Sequence, residues 1–381
     1  MAKRNNADLH VLSRSRLNLL VLLSLLLVVS AFVSTASAKD ESWDWQDETS
    51  LTLNYQGGYD SNILELSEED IDRFDNGELP LATDVEAYDD FVQSLGVYAR
   101  LSLPKLWGWR DGSISYSFNY LSFAKNPYND RPIHNLYFTH DILNRTDIFF
   151  SYLYIPERYL RDYYDRDSGQ IIGTQFDYDL LGGGVQYSPE FLKGMRLSAR
   201  YEYFTIYYNK YFTEYDSEGW GLRFDLRYKV NKVVTLTGIV KRRWSDNVGF
   251  DQHLPGSTND PGQTDSEYGD GSYGEEWFEL VADLNIYDLL PNRIDLSLSA
   301  RLRHRFYDSE LSVTDDPVHA GREHNHWRFG LETKTKIIGN LYGGPSVEYE
   351  FRRTDSPVDW LKERKDFDAI RASLNLSYRL W

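Results

Sequence analysis

The stretch FDAIRASLNLSYRLW, Phe367–Trp381, decides how the whole chain is read. Ile370, Ala372, Leu374, Leu376, Tyr378 and Leu380 alternate with Arg371, Ser373, Asn375, Ser377 and Arg379. This two-residue period puts apolar groups on one face and polar groups on the other. The segment outruns the usual strand of about 5–6 residues. A long amphipathic strand closing on an aromatic ring points to a barrel in lipid, with the ring at the membrane–water interface. Trp381 stands one residue out of phase with the alternation.

The same rhythm recurs upstream. Leu51, Leu53 and Tyr55 alternate with Thr52, Asn54 and Gln56; Ile114, Tyr116, Phe118 and Tyr120 alternate with serines and Asn119; Leu222, Phe224, Leu226 and Tyr228 alternate with Arg223, Asp225, Arg227 and Lys229. About fourteen such segments are expected, within a range of about 12–16, separated in strict alternation by short turns and long loops. The short turns fall near Leu143–Asp147, Val230–Val233 and Ile338–Asn340, and the long loops include Ser61–Asp90, Pro156–Gln175 and Ser245–Tyr273. Two segments are irregular: Gly182–Gly184 suggests a bulge or kink, and Pro345 falls where a central strand resists it. The fold expected is all-β, a transmembrane antiparallel up-and-down β-barrel over residues 49–381. Trp107, Trp109, Trp244, Trp277, Tyr287, Tyr307 and Tyr342 lie near expected strand ends or turns, where interfacial girdles belong.

The N-terminal residues agree with an exported chain. Lys3, Arg4, Arg14 and Arg16 precede an apolar run from Leu17 to Val33, and Ala36-Ser37-Ala38 fits a small-x-small cleavage site. Residues 1–38 therefore read as a signal peptide, in preference to an uncleaved anchor, and residues 39–48 as a short periplasmic lead-in. The chain carries a formal net charge of −18, which argues against nucleic-acid binding. It has no cysteine, which excludes disulfides, thiolate metal sites and a lipoprotein anchor.

If the apolar faces meet lipid, the polar faces line the lumen. Early strands contribute neutral groups such as Thr52, Asn54, Gln56, Ser113, Ser115, Ser117, Asn119 and Thr139. Later strands contribute charge: Arg196, Arg200 and Glu202; Arg223 and Arg227; Lys241 and Arg243; Glu279 and Asp283; a ladder of Arg301, Arg303 and Arg305; Arg328, Glu332 and Lys334; Glu348 and Glu350; Arg371 and Arg379. Two readings stand side by side. The stripe selects anionic solute, as charged rings do in pores, or it forms a salt-bridge brace. In the brace, Glu279 and Asp283 are expected to neutralise both the Lys241/Arg243 pair and the arginine ladder.

The outer loops are acidic, with Glu65, Glu68, Glu69, Asp70, Asp84, Asp89 and Asp90 in the first and Asp251, Asp260, Asp265, Glu267 and Asp270 in a later one. Weak Ca²⁺ or Mg²⁺ association, bridging to lipopolysaccharide phosphates, is open to them; a solvated acidic surface is the better reading, and no cofactor is expected. His134 and His140 share a strand with Asp141, but no serine has an activating context. His319, His324 and His326 sit at one loop and strand start, where surface histidines are favoured over a weak metal site. No catalytic residue is expected.

GYDSNI, Gly58–Ile63, together with the strand rhythm and the C-terminal segment, resembles a recurring feature of proteobacterial outer-membrane β-barrel porins. The C-terminal segment also resembles the closing strand of Gram-negative outer-membrane barrels, which carries their assembly signal. A weaker resemblance is to the barrel half of surface-lipoprotein assembly modifiers, without their helical-repeat domain. The resemblance implies a cell outer-membrane location, contact with outer-membrane lipid and lipopolysaccharide, and insertion by the barrel-assembly machinery. It also implies a non-enzymatic, porin-like channel for small hydrophilic or anionic solutes. The alternative is the barrel of a polysaccharide-export or surface-protein assembly machine with periplasmic partners.

Overall fold

The computed structural model describes residues 49–79, 85–103, 111–165, 169–249, 271–286 and 293–381. The signal peptide, the lead-in, Trp107, Trp109, Tyr287, Asp84 and the carboxylates of 250–270 lie outside the described residues. Fourteen strands follow in order: β1 (Thr49–Asp60), β2 (Asp90–Leu103), β3 (Gly112–Phe123), β4 (Arg131–Leu143), β5 (Thr146–Asp165), β6 (Gln170–Tyr187), β7 (Met195–Tyr208), β8 (Ser217–Lys229), β9 (Val234–Asn247), β10 (Tyr273–Ile286), β11 (Ile294–Tyr307), β12 (Glu323–Ile338), β13 (Leu341–Asp355) and β14 (Phe367–Arg379). Two short helices interrupt the loops, α1 (Glu68–Asp75) and α2 (Asp359–Lys365).

Each strand lies beside the next and β14 returns to β1, which closes the barrel. The closing register runs from Thr52 opposite Arg379 to Asp60 opposite Arg371 without a shift. Backbone bonds from Leu51 N to the Trp381 carbonyl (3.3 Å) and from Leu380 N to the Leu51 carbonyl (2.9 Å) extend the pairing past Arg379. Leu51 N thus bonds to the carbonyl of Trp381 and not to that of its register partner Leu380, the bond pattern of a bulge at Leu380–Trp381.

The two-residue period sorts the side chains as the sequence predicts. Leu53, Leu95, Phe150, Leu181, Phe224, Val240, Leu280, Phe329 and Ile370 all point outward and stand exposed in the isolated chain. A continuous apolar belt of this kind is the surface a membrane covers. The connections β2–β3, β4–β5, β6–β7, β8–β9, β10–β11 and β12–β13 share one rim, called here the turn rim. The others share the opposite loop rim. The outermost ring toward the loop rim is amphipathic: the hydroxyls of Tyr59, Tyr120, Tyr203 and Tyr349 donate to Asp89 (2.8 Å), Asp130 (3.4 Å), Glu218 (2.7 Å) and Asp368 (2.6 Å). Each ring has an apolar body and a polar tip, which suits a membrane edge.

Four local expectations are corrected. Pro156–Gln175 is not a long loop: β5 and β6 stay paired as far as Asp165 opposite Gln170. Bulges between Ile155 and Arg158 and between Tyr159 and Arg161 absorb the proline and the polar residues that read as loop. Gly182–Gly184 does not break β6, which is in register with both neighbours there. The glycines make room instead: a Cβ on Gly184 would lie 2.2 Å from the Ala199 carbonyl oxygen and 2.6 Å from the Phe149 ring. Pro345 sits inside β13 opposite Leu374, and the Thr333 hydroxyl donates to its carbonyl at 3.0 Å. Finally, Trp277, Tyr307 and Tyr342 face inward under Arg301, Arg322 and Lys334 rather than joining a girdle. Trp244 does face out, stacked on Trp220 with ring centroids 4.2 Å apart.

Candidate functional site in the barrel interior

The charged faces of the later strands meet inside the barrel. Their contacts reach over intervening strands, which side chains manage only on the concave side. Glu202 on β7 binds Lys241 (2.7 Å) and Arg243 (3.0 Å) on β9, across β8. Glu275 on β10 takes Arg305 (2.8 Å), with Arg303 at 3.9 Å. Glu279 takes Arg301 at 3.1 Å. On the last strands Glu350 accepts both its bonds from Arg328 at 2.9 Å and is also met by Arg371 and His326. Arg371 binds Glu348 (2.7 Å) and Asp60 (2.6 Å), which ties β14 to both neighbours.

The residues chosen from sequence thus fall into separate groups. Lys241, Arg243, Arg301, Arg303, Arg305, Arg328, Glu279, Glu348 and Glu350 belong to the clusters. Arg223 pairs along its own strand with Asp225 (2.7 Å), and Asp283 accepts from the Ser297 hydroxyl (2.9 Å). Glu332 and Lys334 line a lower cavity, and Arg227 stands exposed near the turn rim. The expectation that Glu279 and Asp283 neutralise both basic groups is corrected. Glu202 serves Lys241 and Arg243, and Glu275 serves the upper ladder. Glu275 shares the inward parity of Glu279 and Asp283 but sits at the strand's start beside Gly274, where the segment's alternation was not followed. Only the register, with Glu275 opposite Arg243 and Arg305, decides its partners.

Aromatic rings floor the guanidinium groups. Arg200 lies 4.9 Å from the Phe149 ring centroid, Arg243 4.9 Å from Phe204, Arg305 3.9 Å from Tyr273 and Arg352 4.7 Å from Phe367. Such stacking holds a cation while leaving its N–H edge free for a carboxylate. Phe149, Phe204 and Phe367 are almost wholly buried, so these pairs fill the lumen, those on Phe204, Tyr273 and Phe367 toward the loop rim and that on Phe149 nearer the turn rim.

A cap covers that rim. Ser61–Asp89, here loop 1, carries α1, whose N-cap Ser67 accepts from Asp70 N at 3.1 Å. Leu64 and Leu66 bury against Tyr159 of β5, with Ile71, Phe74, Tyr88 and Tyr128 packed around them. Tyr59, Asp60, Ser61 and Asn62, of residue types common where strands end, anchor this loop. Tyr59 holds Asp89, and Ser61 Oγ accepts from Ile370 N at 2.8 Å. Asp60 accepts from Asn62 N. Asn62 donates from Nδ2 to the carbonyls of Leu66 (2.8 Å) and Asp368 (3.1 Å) and accepts from Leu66 N (2.9 Å). Asn62→Ala strands these buried backbone groups, at about 1–3 kcal/mol. The expected result is faster proteolysis within loop 1 and an unchanged barrel core, read by limited digestion of the folded protein.

Glu65, in the left-handed region at φ 52°, turns into the mouth and meets Arg352 at 3.3 Å. Burial pushes the Glu65 carboxyl up, but Arg352 and Arg303 outweigh it and hold the carboxyl below its ordinary value. A depressed carboxyl stabilises the docked loop above the ordinary carboxylate range and loses that contribution as pH falls through its folded value. Loop 1 should therefore grow protease-sensitive below about pH 4, and Glu65→Gln should remove this pH dependence.

The other candidate chemistry disperses. His319 pairs with Asp316 (3.0 Å), His324 with the Thr354 hydroxyl (2.9 Å) and His326 with Glu350. His134 faces outward beside Tyr116, whose hydroxyl lies 2.8 Å from its Nδ1. Among the described residues no group of three or more His, Cys, Asp or Glu is set to hold a metal ion. In loop 1, Asp70 pairs with Arg73, Asp89 with Lys125, and Asp90 accepts from Lys125 N and Asn126.

Two interior cavities remain along the neutral wall. The lower, of about 220 Å³, is lined by Asn54, Gln56, Ser94, Asn119, Glu332, Lys334 and Asn375. The upper, of about 560 Å³, lies under loop 1 and also touches Gln56, Ser94 and Asn119. They therefore adjoin. The closed ladder has an even number of strands, an apolar outer belt and a polar interior. The architecture is that of a Gram-negative outer-membrane β-barrel.

No family model matches the chain, and no curated relative matches it. Among solved structures it is similar to a bacterial polysaccharide outer membrane secretin, at 10% identity and TM-score 0.40 over 89% of this chain and 100% of that one. It is similar to the outer membrane channel DcaP of Acinetobacter baumannii at 10% identity and TM-score 0.42, over 87% and 97%. It is also similar to an anion-selective porin from Comamonas acidovorans at 8% identity and TM-score 0.42, over 87% and 100%. At such values the likeness carries no argument about transport; the barrel rests on its own closed ladder.

Proposed function

We propose that this chain is an outer-membrane channel through which small hydrophilic, preferentially anionic solutes diffuse. The reading is carried by the adjoining cavities along the neutral wall, which leave a polar path beside the braced charges. Cations outnumber carboxylates on the inward faces although the chain as a whole is acidic, and pore-lining charge sets ionic preference. Fourteen strands fall between the filled interior of about 8 and the open channel of about 16–18, which favours a narrow path. In this reading the turn rim is periplasmic and the loop rim faces outward. The purified chain in planar bilayers should give small open conductances whose reversal potential in a KCl gradient is displaced toward chloride. A folded protein that conducts only cations sinks the reading.

The cap on the loop rim favours a second reading, the barrel of an export or assembly machine. There the folded protein stays closed until a periplasmic partner is added.

A further inference from the structure

Two arginines stand apart from the charge clusters, at the loop rim on the opposite wall. Arg131 begins β4; its Nη1 donates to the Asn129 carbonyl at 2.9 Å and to the Asn129 side chain, and its guanidinium lies 5.4 Å from the Phe123 ring centroid. Arg158 follows the first β5 bulge and lies 5.6 Å from the Phe176 centroid. The bulge is specifically built: Glu157 takes the left-handed conformation at φ 47°, and its N–H donates to Asp177 Oδ1 at 2.8 Å. An inserted residue re-aims the side chains that follow it, and a strained non-glycine residue is kept where surrounding structure requires it.

Both arginines line the upper cavity of about 560 Å³. Its carboxylates are already engaged, Asp60 by Arg371 at 2.6 Å and Glu65 by Arg352 at 3.3 Å. Among the described residues no carboxylate lies within 4.0 Å of either Arg131 or Arg158. Arg161 and Arg322, also on the cap side, stack on Tyr163 and Tyr307 and likewise meet no carboxylate within 4.0 Å among the described residues, but neither lines this cavity. Two guanidinium groups held by ring faces present N–H edges of the geometry that suits carboxylates and phosphates. The cavity size is that of a small-molecule site.

We propose that Arg131 and Arg158 form a binding site for a small oxyanion, a carboxylate or phosphate group of the solute, beneath loop 1. Its place on a transport path rests on the channel reading; the binding itself does not. The folded full chain in detergent micelles, titrated calorimetrically at low salt with succinate and separately with inorganic phosphate, should bind at least one of them saturably. Binding of succinate alone assigns a carboxylate, and binding of phosphate alone a phosphate. Arg131→Gln and Arg158→Gln should each weaken binding by about tenfold or more, while Lys229→Gln at the turn rim leaves it unchanged. No saturable binding to the unaltered chain overturns the proposal, whether or not the protein conducts and whether or not the variants fold. Equal weakening by Lys229→Gln also overturns it, because overall charge then accounts for the effect. Saturable binding by a chain that forms no channel in bilayers upholds the site and removes the channel reading instead.

Discussion

Replacing Glu202 with alanine is expected to destabilise the barrel by about 3–5 kcal/mol. Its side chain is 1% exposed and its partner Lys241 only 8%. Removing the acid leaves Lys241 and Arg243 as uncompensated charges between the Trp277 and Phe204 rings. By contrast, Arg242 and Glu276 pair on the outer face, with side chains 47% and 35% exposed. Such a pair is worth about 0–1 kcal/mol, so Glu276→Ala serves as the near-neutral comparison. Denaturant unfolding in detergent, followed by tryptophan fluorescence, measures both. Glu202→Gln should fall between them, since it keeps hydrogen-bonding capacity and loses charge. If Glu202→Ala proves as stable as Glu276→Ala, the cluster is not the brace described here.

Excising residues 63–88 and bridging the gap with a short Gly/Ser linker is expected to raise single-channel conductance several-fold. β1 ends at Asp60 and β2 begins at Asp90, so the ladder is untouched. What goes is α1, the Leu64 and Leu66 contacts with Tyr159, and the Glu65–Arg352 pair. Shortening the connection slightly lowers its closure entropy, so the barrel should still fold. Recordings before and after excision check this. An unchanged conductance would move the constriction down to the arginine–aromatic pairs and sink the view of loop 1 as the cap.

What the sequence revealed follows from the difference between local and non-local information. Alternation in Phe367–Trp381 and its counterparts specifies which side chains face together, because the pleat has a fixed period. That was enough for the closed up-and-down barrel and for a strand number of about fourteen within a range of about 12–16. It was not enough to pair charges. Glu202 reaches its cations across an intervening strand, and the partners of Glu275 depend on the register of two neighbours. The β5–β6 hairpin was misread because Pro156 signals a loop by its missing donor, whereas a bulge removes the need for that donor. Gly182–Gly184 was misread for the opposite reason: the glycines answer to side chains of the neighbouring strand, Gly184 to the Phe149 ring, not to their own backbone. Asn62 carried no signal of its anchoring role, since the turn that brings Leu66 to it has no set sequence pattern and Asp368 becomes its neighbour only when the ring closes.

The separations along the chain within each ion cluster bear on the order in which the barrel forms. Arg243 lies 41 residues from Glu202, Arg305 lies 30 from Glu275, and Arg328 lies 22 from Glu350. Arg371 lies 311 residues from Asp60, and Arg352 lies 287 from Glu65. Closure entropy rises with separation, and non-local pairing is slow. Neighbouring hairpins can therefore neutralise their own buried charges as they dock, while the seam between the first and last strands waits for the whole chain. The slowest refolding phase should belong to that seam, and Arg371→Gln should retard it while leaving the earlier hairpin phases at their original rates.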